Sequence, residues 1–407
     1  MRTIFLIARR YFLSKKKKSF INVISMMSMA GVAFGTMALV IVLSVFNGME
    51  DLIRTLYNTF DPEIKVSAAQ SKSLTYDDAL KDKVYAVSGI EMVTEAIEDN
   101  ALVEYRDDRR VVKIKGVSEN FLDQQRLNSA IVAGEYAFHR NNMDYAIIGR
   151  GVQYSLNISI NNDLSPLKIS YPNHRKLLQV TSPNILNRNI IPAGAVFAIE
   201  KQYDDNYIFV PLHFAQELMN YGDRRTSLEI KTKEGYKINK VRDELRKVLG
   251  GEFLVQNSDE QHASLLRAIK IEKLFVFITF SVILAIASLN IFFSLTMLAI
   301  DKKKDVAMMF SMGATPGFIR KIFMTEGIII AFSGAIIGLM LGFLICLAQQ
   351  ELGLISMGME TSLIDAYPVK MEAGDFVFSG LVIFAITILI SYRPAVKASR
   401  VTIQDNL

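Results

Sequence analysis

DKKKDVAMMFSMGATPGFIRKIFMTE, residues 301–326, is the stretch on which the reading of this chain turns. It joins two apolar runs, 274–300 and 327–348, each long enough to cross a hydrocarbon core of roughly 30 Å, which takes about 20 helical residues. The stretch is therefore a connection between two membrane spans. It carries Lys302, Lys303, Lys304, Arg320 and Lys321 against Asp301, Asp305 and Glu326, and the positive-inside bias places it in the cytoplasm. Its middle, 306–312, is apolar and rich in methionine; Gly313 and a turn at Thr315-Pro316-Gly317 precede a fresh helical pattern from Phe318. A short apolar helix held at the cytoplasmic face has the form of an element that inserts into a partner's groove. A basic loop lying on anionic lipid is the alternative.

Of the 407 residues 51% are hydrophobic, and they gather in blocks instead of spreading as in a soluble chain. The blocks give transmembrane helices over 20–48, which includes the start of a stalk, and over 271–300, 327–348 and 376–392. The net charge of +5 is uneven: residues 1–19 hold seven Lys/Arg and no acid, whereas 349–375 holds five acids and one lysine. That asymmetry reads as membrane topology with both termini inside, not as nucleic-acid binding. Met1, Ile4, Phe5, Ala8, Tyr11 and Phe12 share one side of an amphipathic helix in 1–19 that lies on the inner membrane face. The first apolar run is too long for a signal-peptide core and has no small-x-small cleavage site, so it is an uncleaved span. Gly31, Ala33, Gly35 and Ala38 give it a small-residue face, and Gly334, Gly338 and Gly342 stack at four-residue spacing on the third span. Such faces let helices approach closely in lipid, for the third span within a dimer. The tail 393–407 returns to the cytoplasm.

Between the first two spans, 49–270 has no membrane-length run, and strands and amphipathic helices alternate at globular spacing. The expected order is a strand at 63–67, a helix at 76–87, a hairpin of ALVEY and RVVKIKGV, a long middle section, a strand at 227–231, a helix at 237–249 and a strand at 252–255. The outer parts, 61–109 and 225–257, fit a split β-α-β-β-α-β unit, with 110–224 inserted as a β-rich lobe. Residues 258–273 are helix-compatible without a breaker, a second stalk entering the second span. The fold class is thus an α-helical membrane protein with four transmembrane helices and a large α+β extracytoplasmic domain between helices 1 and 2.

Several chemistries are missing. The one cysteine, Cys346, lies in an apolar span, so there is neither a disulfide framework nor a cysteine metal site. His139, His174, His213 and His262 are widely spaced with no H-E-x-x-H pair, and no phosphate-binding G-x-x-x-x-G-K-[ST] loop occurs. No catalytic or metal site is expected. The spans are nearly free of ionisable groups; Asn47, Asn290 and Ser288 are their main polar residues, and helix-to-helix hydrogen bonding is the reading for each.

GVAFGTMALVIVLSVFNGMEDLI, AIKIEKLFVFITF, SLTMLAIDKKKDVAMMFSMGATPGFIRKIFMTEG and the third-span glycines resemble the permease subunits of lipoprotein-releasing (Lol-type) ABC transporters, in the FtsX-like/macrolide-exporter permease superfamily. DYAIIGRGVQYSLNISINND and FVPLHFAQELM resemble segments of the family's outer domain. The resemblance implies an inner-membrane permease, not an enzyme, whose partners are two copies of an ABC ATPase subunit holding ATP and Mg, and a second permease chain, identical or paralogous. It also implies a lipoprotein substrate, a periplasmic lipoprotein carrier and surrounding lipid, with no cofactor on this chain. Asp305, Val306, Ala307, Met308, Met309, Phe310, Met312, Gly313 and Ala314 would form the helix that docks into the ATPase. Gly31, Gly35, Val42, Val45, Phe46, Asn47, Gly48, Asn290, Gly334, Gly338 and Gly342 would pack helices or line a lateral lipoprotein entry. The family's carrier-recruiting hook would fall in 171–191, with Pro172, Pro183, Ile185 and Leu186. The chain departs from the family in that segment and at Arg393, Ile403 and Asp405. Two other functions stay open: an exporter of small molecules or peptides with a periplasmic adaptor, and an FtsX-like scaffold that activates a cell-wall hydrolase.

Overall fold

A computed structural model describes residues 2–12, 20–160, 162, 164–172, 186–356 and 366–400. The helices are α1 (Arg2–Phe12), α2 (Phe20–Phe60), α3 (Asp78–Tyr85), α4 (Asn120–Asp123), α5 (Arg150–Leu156), α6 (Lys201–Asp204), α7 (Leu212–Met219), α8 (Ile238–Leu249), α9 (Ser258–Gln261), α10 (Ala263–Asp301), α11 (Lys303–Ser311), α12 (Pro316–Leu352) and α13 (Ala373–Ala398). The strands are β1 (Ile64–Ala68), β2 (Leu74–Thr75), β3 (Ile90–Tyr105), β4 (Asp108–Val117), β5 (Ile131–Gly134), β6 (His139–Arg140), β7 (Met143–Asp144), β8 (Ala146–Gly149), β9 (Leu167–Pro172), β10 (Leu186–Ile191), β11 (Ala193–Phe197), β12 (Tyr207–Pro211), β13 (Arg224–Arg225), β14 (Ser227–Thr232) and β15 (Phe253–Asn257). The chain divides into two units, one with its boundaries at Leu52, Arg267 and Ala366, the other holding Ile53–Leu266.

In the first unit α2, α10, α12 and α13 are long and apolar enough to cross a membrane. The helices outrun the apolar blocks. The span expected at 376–392 is part of α13, which begins at Ala373 and reaches Ala398 with Pro394 inside it. The turn expected at 315–317 is a helix start: Thr315 Oγ1 accepts from Phe318 N at 3.3 Å, and Pro316 takes the first helical position, where its missing N–H costs nothing. The helical pattern expected from Phe318 therefore begins two residues earlier, at Pro316, and residues 316–326 are the first turns of α12. Gly334 and Gly338 let α12 close on α2, because a Cβ at Gly334 would lie 2.6 Å from the Met29 carbonyl oxygen and one at Gly338 would strike the Ala33 carbonyl. This corrects the reading of that ladder as a dimer contact; its partner is in the same chain. Val32, Leu39, Leu284, Ile291, Leu295 and Ile330 fill the space between these helices.

In the second unit β15, β1, β14 and β3 lie side by side in that order, and α3 and α8 connect them as in a split βαβ pair. Helix α8 buries Val241, Leu245 and Leu249 at four-residue spacing against Ile64, Val66, Leu228, Ile230 and Val255. The inserted section is not a separate layer. Strand β3 is 16 residues long, roughly 50 Å at strand rise, and carries the same sheet on through β4, β12, β8, β11 and β5. The lobe boundary expected at 109/110 is thus replaced by a shared strand, whose later part, from Ile97, belongs to a second core with Val103, Ile114, Ile148 and Phe214. A two-residue turn closes the β3–β4 hairpin, with Tyr105 opposite Asp108 and Arg106 at φ 56°.

The expected unbroken helix over 258–273 is interrupted. Asn257 and Glu260 form a reciprocal capping box that sets α9 as a separate turn, and His262, at φ −112°, separates it from α10. The His262 ring stacks on Tyr57 with centroids 3.6 Å apart, and its Nε2 lies 2.7 Å from Asp61 Oδ2.

Candidate functional site

Helix α11 sits between two spans, and its ends are set by local chemistry. Lys302 precedes its first turn and lies 3.2 Å from Asp301 Oδ2 and 3.9 Å from Asp305 Oδ2. At the other end Gly313 takes φ +89°, a conformation costly for any side chain, and Ala314 N bonds back to the Met309 carbonyl at 2.9 Å. The helix is two-faced. Val306 and Ala307 have no exposed surface, whereas Met308 is 49% exposed and Met312 79%. Met309, Phe310 and Ala314 are half-buried against a core of Ala8, Leu298, Ile319, Ile322, Phe323 and Ala395. The expected coupling set 305–314 therefore splits: Val306 and Ala307 seat the helix on its own chain, and Met308 and Met312 are offered outward with Lys303 and Lys304. An apolar pair ringed by lysines can enter a partner's groove or meet lipid, but holds no reactive group.

Helix α1 joins this core through Ala8, Ile4, Ile7 and Tyr11. Burial, with the Asp305 and Glu326 carboxylates nearby, pushes the Tyr11 hydroxyl up to about 12, so it stays protonated. Glu326 itself is 2% exposed, and its Oε2 has no hydrogen-bond partner among the described residues. In sequence it closes the charged stretch 301–326 expected as a loop. Its place on the stripe Ile319, Ile322, Phe323 and Ile330, spaced by three and four, was the signal for its burial.

At the other ends of the spans, Asn47 is the centre of a polar knot. Its Nδ2 donates to Asp375 Oδ2 at 2.7 Å and to the Lys370 carbonyl at 3.3 Å, and its Oδ1 accepts from Lys273 Nζ at 2.5 Å. Lys273 Nζ is also 3.5 Å from Asp375 Oδ2. Gly48 is pressed against the Pro368 backbone, where no Cβ fits. Gly31 and Gly35 face Ala287 and Leu284 of α10, Gly342 lies beside Met37 and Val40 of α2, and Val42, Val45 and Phe46 are half-buried. Asn290 is exposed on α10.

Of the residues expected in a hook, Pro172 and Leu186 pair as the last rung of the β9–β10 ladder before the connecting segment and are exposed; Pro183 and Ile185 lie outside the described residues. Two histidines read as isolated come together. His139 Nδ1 is 2.7 Å from Asp144 Oδ1 and His213 Nε2 is 2.5 Å from Asp144 Oδ2. Among the described residues no group of three or more His, Cys, Asp or Glu is placed to hold a metal ion.

Two family models match. The MacB-like periplasmic core domain covers residues 25–248, more than half of the chain, and the FtsX-like permease C-terminal domain covers 277–403. The lipoprotein-releasing system transmembrane protein LolE of Haemophilus influenzae is 23% identical over 98% of this chain and 98% of its own length. LolC of Neisseria meningitidis serogroup B is 22% identical over 97% of this chain and 96% of its own. Among solved structures, the periplasmic region of MacB from Actinobacillus actinomycetemcomitans aligns with 50% of this chain and 91% of its own at 10% identity, with a TM-score of 0.35. Four membrane-length helices with a mixed α/β domain between the first two, matched along both parts, place the chain in the family of FtsX-like permeases with a MacB-like periplasmic core domain.

Proposed function

We propose that this chain is the permease subunit of an ABC transporter that extracts lipoproteins from the outer leaflet of the inner membrane and passes them to a periplasmic carrier. The two-faced helix α11 carries this reading. A helix fastened to its own core by Val306 and Ala307, with Met308 and Met312 exposed, suits docking into an ATPase subunit. ATP and Mg belong to that subunit, present in two copies, and a second permease, identical or paralogous, completes the membrane part. Both termini are cytoplasmic and the α+β domain is periplasmic.

In this mechanism ATP-driven closure of the ATPases displaces α11, and α2 and α10 relay the motion outward. The substrate enters sideways between the first and second spans of opposing permeases. Asn290 then finds its hydrogen-bond partner on the second permease, since an amide left in hydrocarbon is costly. Pulling acyl chains into water costs about 0.8 kcal/mol per CH₂, so extraction requires both ATP and a shielded acceptor. The near-absence of charge along the spans supports a cargo that does not cross the whole membrane.

The test is to purify the chain with its native partners and identify bound proteins and acylated peptides by mass spectrometry, for wild type, Met308→Asp and Met312→Asp. The expected result is acylated protein with the wild type and loss of the ATPase from both variants at unchanged melting temperature. An ATPase that stays bound to both variants sinks the docking assignment. A cell-wall hydrolase, or an adaptor with a tunnel protein, in place of lipoproteins sinks the substrate.

A further inference from the structure

A carboxylate buried without a full set of partners is costly, because the lost hydration is not replaced. Glu326 is in that position at the start of α12. Its flanking residues on the stripe, Ile322 and Phe323, are fully buried, and its Oε2 has no partner among the described residues. A leucine or methionine would fill the same volume without that cost. Polar neighbours come from α1 and from the α10–α11 junction. Tyr11 comes from α1, where its hydroxyl feels both Glu326 and Asp305. Lys302 comes from the α10–α11 junction, and α13 contributes the apolar Ala395 and Ala398 to the same core.

Among the described residues Lys302 supplies a cation that acts electrostatically on Glu326. Its Nζ lies over the Tyr11 ring at 5.9 Å, and its backbone N–H bonds to Leu298, which shares the core with Ile322 and Phe323. In this structure its ammonium is held by Asp301 at 3.2 Å and Asp305 at 3.9 Å. It also stands immediately before the first turn of α11, so any displacement of that helix moves it.

We propose that Glu326 is a positioning residue for the coupling step: Lys302 exchanges between the Asp301–Asp305 pair and the buried Glu326 carboxylate, so that displacement of α11 is transmitted to α12 through an ion pair made in one state only. This rests on the assignment of α11 as the ATPase-docking helix. An ion pair confined to one of two states biases the equilibrium by its differential strength, and a chain of such contacts is a physical route for coupling.

The experiment is a double-mutant cycle in the complete permease–ATPase complex in lipid, with Lys302→Met, Glu326→Gln, both together, and Lys302→Arg as the conservative variant. Both ATP hydrolysis and lipoprotein release are measured. Each single change is expected to leave the ATPase bound and lower release per ATP about tenfold, within the usual range of coupling energies. The double variant is expected to be no worse than either single, and Lys302→Arg to stay near wild type. Multiplying losses, a wild-type ratio in either single variant, or Lys302→Arg as poor as Lys302→Met overturns the proposal. Lys302 is 28% exposed, so the contrast between its methionine and arginine variants decides the matter even if Glu326→Gln fails to fold. If the wild-type complex releases no lipoprotein, the substrate assignment falls, and the same cycle in nucleotide-dependent hydrogen exchange of 316–330 still tests the ion pair.

Discussion

Lys115 Nζ lies 2.6 Å from Glu229 Oε1, with both side chains enclosed, and Arg126 bonds the other carboxylate oxygen. The Lys115 ammonium also faces the Phe60 and Phe209 rings, at 4.9 and 5.6 Å from their centroids. Burial alone would raise the Glu229 carboxyl, but the two cations outweigh it and hold it down at about 2. Removing one member leaves charge buried without its partner, which costs about 3–5 kcal/mol. Glu229→Gln is expected to lower the melting temperature sharply, more than a change at an exposed ion pair such as Lys231–Glu91. Because the folded carboxyl is depressed, its contribution is complete above the ordinary value of 4.5 and is lost as pH falls from there towards 2. Thermal melts of the two proteins across that window should converge as the pH drops.

Asp204 titrates with the opposite sign. Burial pushes its carboxyl up to about 6, against hydrogen bonds from the Ile199 and Glu200 backbone that lower it. A raised carboxyl contributes stability that is complete below its ordinary value of 3.8 and is lost as pH rises towards 6. Asp204→Asn is therefore expected to flatten the melting profile between about pH 4 and 6 and leave the Glu229 slope at lower pH intact. An unchanged profile between pH 4 and 6 would show that Asp204 is not the group responsible.

What could be read from the sequence follows from the range of each interaction. The four spans are legible because about 20 apolar residues have one physical use, and α8 because Val241, Leu245 and Leu249 repeat at helical period. The glycine spacing of 334, 338 and 342 announces close approach but not to what, so Met29 and Ala33 came only from the structure. Asp144 and His213 are 69 positions apart, and no local pattern pairs them. Glu326 was hidden for a different reason. It closes a run of charges at the edge of an apolar block, and only the packing of α1, α11 and α13 around α12 turns that edge into a core.

The glycine ladder gives a graded series. A Cβ at Gly338 meets the Ala33 carbonyl and, at 2.8 Å, Thr36 Cβ; one at Gly342 meets nothing nearer than 3.4 Å; one at Gly380 meets nothing within 4 Å. Forcing two packed helices apart costs about 1–3 kcal/mol. In detergent melts Gly338→Ala is expected to destabilise by that amount, Gly342→Ala by little, and Gly380→Ala to be neutral or stabilising through helix propensity. Equal effects at all three sites would mean that α2 and α12 do not meet at Gly338.

The last prediction concerns Asn47, whose amide satisfies three elements at once: Lys273 on α10, Asp375 on α13 and the Lys370 carbonyl. It is 4% exposed, so no water replaces those bonds when it is removed. Hydrogen bonds to charged groups contribute about 1.5–3 kcal/mol each, and two of the three are of that kind. Lys273 and Asp375 keep only their 3.5 Å contact. Asn47→Leu, close in volume but without the amide, is expected to cost about 3 kcal/mol. Adding Asp375→Leu and Lys273→Met to it should recover much of the loss, because an apolar replacement of a whole buried polar group is far cheaper than a partial one. Melting temperatures of the single and triple variants in the same detergent decide this. A triple variant no more stable than Asn47→Leu would show that the three side chains act independently and are not a shared knot.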